Sequence, residues 1–227
     1  MPQLRQLDLR LELRNYDDDF DLADYAYTFQ LAPKLAKLSI ASCHSVSRPL
    51  SLDHVRTLCI KHSELSRPDM ETLLASCTGG LRAFSGWILS PEEIPATEMV
   101  KLLLLHGHGR TLADLVLVAD VYAKLVWVDE FEAIEAPLTG FERLQRLVLD
   151  NRYVVDIADG YLPNGGPRPL RSAPPSLRSL QINGFEMGYL VDELDLLAGR
   201  KAEGELPDLA EVVMVREKPV TGGGVGT

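Results

Sequence analysis

An apolar phrase of the form Leu-x-x-Leu-x-Leu returns eight times along this chain. It reads Leu4/Leu7/Leu9, Leu35/Leu38/Ile40, Val55/Leu58/Ile60, and Leu81/Phe84 with Gly86 in the third slot. It continues as Leu112/Leu115/Leu117, Leu144/Leu147/Leu149, Leu177/Leu180/Ile182 and a looser Leu209/Val212/Met214. The steps between first positions are 31, 20, 26, 31, 32, 33 and 32 residues. The second and third apolar positions lie two apart, which is strand spacing, so the side chains between and beside them face the other way. Parallel strands need a crossover of about a dozen residues or more, commonly helical, and most of these steps leave room for one. Such a period predicts stacked units, none able to bury its apolar face alone. The expected fold is α/β: a curved solenoid of about eight irregular repeats, its parallel sheet on the concave side and its helices and loops outside.

Helix signals fall between the strands. Ser66 offers a cap, Pro68 a first-turn proline, and Asp69 and Glu71 the acids that a helix start favours. Leu73, Leu74 and Cys77 supply an apolar stripe, and Gly79-Gly80 a stop, so a helix is expected over 66–79. The same plan predicts helices over 97–106, ended by Gly107, and over 189–197, ended by Gly199. Another is expected over 19–31, with Phe20, Ala23, Tyr27 and Leu31 on one side. The 20-residue step from Leu35 to Val55 is too short for a full helix. It predicts a coil or 3₁₀ turn around Ser47, Arg48 and Pro49. An acidic loop is expected over 15–21, and an exposed excursion over 162–175, with its five prolines and two glycines. The glycine-rich end, 217–227, predicts a disordered tail beyond a single repeat domain over 1–216.

The 227 residues include 23 Lys+Arg against 33 Asp+Glu, a formal charge of −10. That disfavours nucleic acid as a partner, because displacing counterions from phosphates calls for a basic excess. No apolar run approaches the roughly 20 residues that span a bilayer, so no membrane segment is expected. Met1 stands three residues before the first phrase, so no signal peptide is expected. Cys43, Cys59 and Cys77 are odd in number and lack metal spacing. An intracellular, cytoplasmic or nuclear protein without cofactor is expected.

Binding is expected on the outward side chains of the sheet. Arg10, Lys37 and Lys61 make a positive edge on the first three strands. Trp87, Val116, Val118 and Val148 fall side by side on the central strands, with Asp114 and Arg146 beside them. An aromatic anchor among aliphatic neighbours, rimmed by charge, has the composition of a protein-binding hot spot. This patch would grip apolar side chains of a partner protein while the basic edge selects an acidic or phosphorylated flank.

Chemical motifs are sparse. His106-Gly-His108 has a metal-type spacing, but no third ligand stands nearby in sequence. Asp17, Asp18, Asp19 and Asp21 lack the glycine and terminal glutamate of a calcium loop. Cys43 with His44, and Cys59 with His62, suggest a nucleophile and base, yet both thiols fall in or just after a strand, where burial is the default. No nucleophile elbow, phosphate loop or dinucleotide fingerprint appears. No catalytic residue and no metal site are assigned, and the expectation is a protein that is not an enzyme.

The phrase resembles the leucine-rich repeat, whose consensus continues to an Asn or Cys in the ninth slot. Leu35, Leu38, Ile40 and Cys43 match it best, with Ser63, Asp120 and Arg152 in that slot elsewhere. The resemblance implies a buried ninth side chain bonded to backbone where the chain leaves the strand. Long irregular units, with strand entries such as Pro175-Ser176-Leu177 and Pro207-Asp208-Leu209, look like the repeat regions of fungal F-box-type proteins. That resemblance implies a substrate receptor of a cullin–RING ubiquitin ligase, its F-box expected in sequence upstream of Met1. A repeat-only scaffold or regulator is the alternative. With no cap expected over the first repeat at Leu4, the chain is expected to be poorly soluble or dimeric through its N-terminal end.

Overall fold

The computed structural model describes residues 1, 3–10, 20–88, 94–119, 133–154, 169–184 and 190–216. All eight phrases are strands: β1 (Gln6–Arg10), β2 (Lys37–Ala41), β3 (Thr57–Ser63) and β4 (Ala83–Ile88). They are followed by β5 (Asp114–Ala119), β6 (Arg146–Asp150), β7 (Ser179–Gly184) and β8 (Glu211–Arg216). They form one open, all-parallel sheet whose order in space is the order in sequence. The described residues include four α-helices: α1 (Ala26–Gln30), α2 (Arg67–Ser76), α3 (Ala96–Leu105) and α4 (Val191–Ala202). No described helix is long and apolar enough to cross a membrane.

The apolar slots pair in register. One core row runs Leu7, Leu38, Leu58, Phe84, Leu115, Leu147, Leu180, Val212. The second runs Leu9, Ile40, Ile60, Gly86, Leu117, Leu149, Ile182, Met214. From β2 to β7 these rows are buried in a single continuous core. At the ends they open: Leu7 and Leu9 are half-buried, and Val212 and Met214 are 42% and 48% exposed. Gly86 is a compensated exception. A Cβ there would stand 3.1 Å from the Phe84 ring and 3.4 Å from Leu117, so the aromatic ring of the second slot occupies the space of the third.

Backbone alone sets each strand entrance. The carbonyl of Arg5 accepts the N–H groups of both Ala36 and Lys37, at 2.8 and 3.0 Å. The carbonyls of Ala36, Arg56, Arg82, Ala113, Gln145 and Arg178 do the same for the pair of residues entering the next strand. Each acceptor follows the first apolar slot of its phrase. Because the bonds are main-chain, no residue type is required there.

The outer layer varies with the step length. In α2 the Ser66 hydroxyl accepts the Asp69 N–H, and Met70, Leu73 and Leu74 bury one face. Gly80, at φ +79, turns the chain back toward β4. Residues 42–56, in the short step, form no helix. They hang on α2 through Val46 N–H to Asp69 Oδ1 (2.8 Å) and Leu50 N–H to Ser76 Oγ (2.9 Å).

Two helices differ from expectation. The expected helix over 19–31 is a 3₁₀ segment (Leu22–Tyr25) followed by the short α1. Three residues per turn instead of 3.6 shift the apolar phase. Phe29 is therefore buried, while Tyr27 and Leu31 are exposed. Gly199 does not stop α4. The Arg200 guanidinium donates to the carbonyls of Leu170 (2.8 Å) and Ala173 (3.1 Å), which carries the helix past it, and Gly204 at φ +79 makes the turn. Asp17, Asp18, Asp19, Asp120, residues 162–168 and the tail 217–227 lie outside the described residues.

Candidate functional site

The sheet face opposite the core carries two continuous rows of the expected outward residues and a third that is interrupted between β3 and β4 and between β5 and β6. The first row is Gln6, Lys37, Thr57, Ala83, Asp114, Arg146, Ser179 and Glu211, and the second begins Asp8, Ser39, Cys59, Ser85, Val116, Val148. In the third, Arg10 pairs with Ala41, Ala41 with Lys61, and Trp87 with Val118.

Strands β2 to β4 form a floor of small side chains. Ser39, Ala41, Thr57, Cys59, Ala83 and Ser85 are all half-buried. One wall rises at the strand exits. The Lys61 ammonium lies over the Trp87 ring, 5.0 Å from its centroid, and the His62 ring meets Trp87 edge-on at 5.9 Å. This clamp depends on a bulge. The β3–β4 register shifts between Ile60 and Ser63, and His62 sits at φ 46, a left-handed conformation that L residues hold only under constraint. At the strand entrances stands Lys37, exposed. Neither Lys37 nor Lys61 is in an ion pair with a described residue.

The flanks are neutralised. Arg10 pairs with Asp8 at 3.0 Å, and its guanidinium, with Lys61 farther off, holds the Asp8 carboxyl below the usual carboxylate range. Arg146 and Asp114 pair at 2.9 Å. The positive edge expected from Arg10, Lys37 and Lys61 therefore reduces to Lys37 and Lys61, which form no ion pair with a described residue, although Lys61 still acts on Asp8 from a distance.

The valine patch needs correction. Val116 is half-buried, but Val118 and Val148 are only 8% and 3% exposed and offer no open surface. They do not belong to the main core, so they form apolar burial on the second face of the sheet. All-parallel sheets commonly cover both faces and then read as continuous apolar runs, which is how residues 115–119 read. Val148 also stands between Arg146 and the buried Asp150 on its own strand, beside Gln181 on the next. The accessible part of the expected site is Lys37, Lys61, Trp87, Val116 and the Asp114–Arg146 pair, displaced toward the N-terminal half. His62 was not expected in it. Sequence places it beside Cys59, and only the bulge turns it onto Trp87.

Of the candidate nucleophiles and metal ligands, Cys43, His44 and His108 have structural roles, while Cys59 is half-buried on the floor of the face. Cys43 Sγ donates to the carbonyls of Ser45 (3.3 Å) and Phe20 (3.6 Å). His44 Nδ1 instead accepts the Phe20 N–H at 3.4 Å. Burial pushes the Cys43 thiol up to about 11 and that of Cys77 to about 12, so neither forms a reactive thiolate near neutral pH. His108 is buried. Its Nδ1 accepts the Leu81 N–H (3.3 Å), which leaves Nε2 to donate to the Leu74 carbonyl (3.2 Å). With both nitrogens engaged, it cannot chelate together with His106. No group of three metal-capable side chains occurs among the described residues.

His108 yields a pH prediction. Burial lowers its pKa below the ordinary 6.5. Above 6.5 both folded and unfolded chains carry it neutral. Below 6.5 the unfolded chain takes up a proton that the folded chain refuses, so stability falls with pH, by at most about 1.4 kcal/mol per unit for one proton. His108→Ala is expected to cost about 2 kcal/mol by stranding the Leu74 carbonyl and the Leu81 N–H, and to flatten that acid slope. Urea denaturation at pH 7 and pH 5.5 checks both; an unchanged slope would exclude His108 as the titrating group.

Comparison with protein-family models, curated proteins and solved structures finds no match to this chain.

Proposed function

We propose that this chain is a leucine-rich-repeat solenoid that binds another protein on its concave sheet face, over strands β2 to β4. The carrying observation is the Lys61–Trp87–His62 clamp standing beside a floor of small side chains, in a chain whose overall charge is −10. A floor of Ser, Ala, Thr and Cys admits an extended segment close to the sheet, and its hydroxyls supply donors. Lys37 and Lys61 select acidic or phosphorylated side chains. Trp87 is the anchor residue, of the type that dominates protein interfaces. No cofactor and no chemistry are assigned.

As a receptor subunit of a cullin–RING ligase, the same face would hold the substrate. As a free-standing scaffold, it would hold one of the assembled partners. Crosslinked affinity capture of the wild type beside Lys61→Glu/Trp87→Ala tests the proposal. The double variant is expected to lose the specific partners, with at least about a thirtyfold weakening of a purified one, the loss of one or two hot-spot side chains. Cullin–RING subunits among the captured proteins favour the receptor role, and their absence beside other face-dependent partners favours the scaffold. Equal capture by both proteins would overturn the assignment of this face.

A further inference from the structure

A second surface follows from the short step in the phrase spacing. Between β2 and β3 the crossover is coil, whereas between β3 and β4 it is the ten-residue helix α2. A coil is thinner than a helix, so the flank of α2 is left standing above residues 49–53. The result is an open groove of about 500 Å³ on the outer layer, away from the β2–β4 face.

Its chemistry is one-sided. Pro49 and Leu50 on the coil, with Pro68 and Ala75 on α2, give an apolar bed. Asp53 and Glu71 add two exposed carboxylates, and none of the ten lining residues is a lysine or arginine. The Asp53 carboxylate is held in place by the Thr78 hydroxyl. Arg56, close in sequence, forms no ion pair with Asp53 or Glu71 among the described residues. Its guanidinium donates to the carbonyls of Asp53, Val55 and Gly80 and is not part of the lining. The Thr72 and Ser76 hydroxyls donate to the backbone within α2. His106 completes the lining from the end of α3, and its buried Nε2 has no hydrogen-bond partner among the described residues. Buried polar atoms in folded proteins are rarely left so.

We propose that this groove docks a basic, apolar segment of a partner protein, its lysine or arginine reaching Asp53 and Glu71 and its aliphatic side chain resting on Pro49, Leu50, Pro68 and Ala75. Charge complementarity sets the class of occupant. An acidic segment is repelled here and attracted to the opposite face, so the two surfaces take partners of opposite charge.

The test is selection of an unbiased displayed peptide library on the full chain. A class rich in Lys or Arg with Leu is expected. A synthetic member is then titrated against wild type, Glu71→Lys, Ala75→Trp and the concave-face variant Lys61→Glu/Trp87→Ala. Glu71 and Ala75 are exposed on α2, so their variants retain the fold. Ala75→Trp fills the groove without changing charge, which separates docking from general attraction to an acidic protein. Each groove variant is expected to weaken binding at least about tenfold, and the concave-face variant to leave it unchanged. Absence of a basic class, or a basic class that Ala75→Trp leaves intact, would overturn the proposal. So would acidic peptides lost on the groove variants. None of these outcomes bears on the β2–β4 face, whose own variant is read separately.

Discussion

Leu147→Ala is expected to cost about 3 kcal/mol of folding stability, and Val212→Ala close to nothing, although the two occupy the same slot of the same phrase. Leu147 is fully buried between Leu115 and Leu180. Truncation there removes transfer energy and leaves a cavity that a sheet paired on both sides closes poorly, in the range of about 2–5 kcal/mol seen for buried leucines. Val212 has a strand on one side only and is 42% exposed. Its truncation loses a small part of one side chain's contacts and leaves no enclosed void. Against a typical total stability of about 5–15 kcal/mol, the first change is large. Because each strand pairs only with its chain neighbours, damage at Leu147 also weakens the interface on which both halves depend. Guanidinium denaturation of the two variants, followed by far-ultraviolet circular dichroism, is the measurement. Equal losses would mean that the end rows are covered in solution.

Gly109→Ala is expected to destabilise by about 3 kcal/mol, toward the upper end of overpacking costs, while Gly199→Ala stabilises by about 0.5–1 kcal/mol. A Cβ on Gly109 would stand 2.4 Å from the Gly140 carbonyl oxygen and 2.8 Å from Leu104 Cδ2. The first obstacle is backbone, which cannot rotate away as a side chain can. The Gly109 carbonyl also accepts the Glu142 N–H at 3.0 Å, so adjacent turns are tied at the point where they would have to part. Gly199 is the opposite case. It lies inside α4 with nothing within 4 Å of the added carbon, so alanine gains helix propensity at no steric cost. The pair of melting temperatures separates close packing from glycine content. A neutral Gly109→Ala would show that the two turns move apart freely.

Strand positions were legible because they rest on a two-residue alternation repeated eight times, which a single mismatch such as Gly86 does not erase. The side each residue faces followed from the same alternation, and the strand register agrees with it except at the β3–β4 bulge. Burial of the Cys43 thiol just after its strand was legible as well, and its bonds to the Ser45 and Phe20 carbonyls hold it there. Helix limits were less so. The 3₁₀ turn at Leu22–Tyr25 and the passage of α4 through Gly199 depend on angular phase and on the Arg200 anchor, and neither leaves a mark in local sequence.

The candidate site divides the same way. Facing is a property of one strand, and the chain by itself determined that Lys37, Lys61, Trp87 and the valines share a face. Accessibility is a property of the assembled neighbours, and only the tertiary structure decided that Val118 and Val148 are closed off while the outward side chains of β2 to β4 stay half-buried or exposed. The clamp on Trp87 requires the His62 bulge, a backbone conformation that no side-chain pattern announces. The outer groove requires a coil to stand beside a helix. Its cause, a 20-residue step, is written in the sequence; its shape and charge exist only once Asp53 and Glu71 are brought together across it.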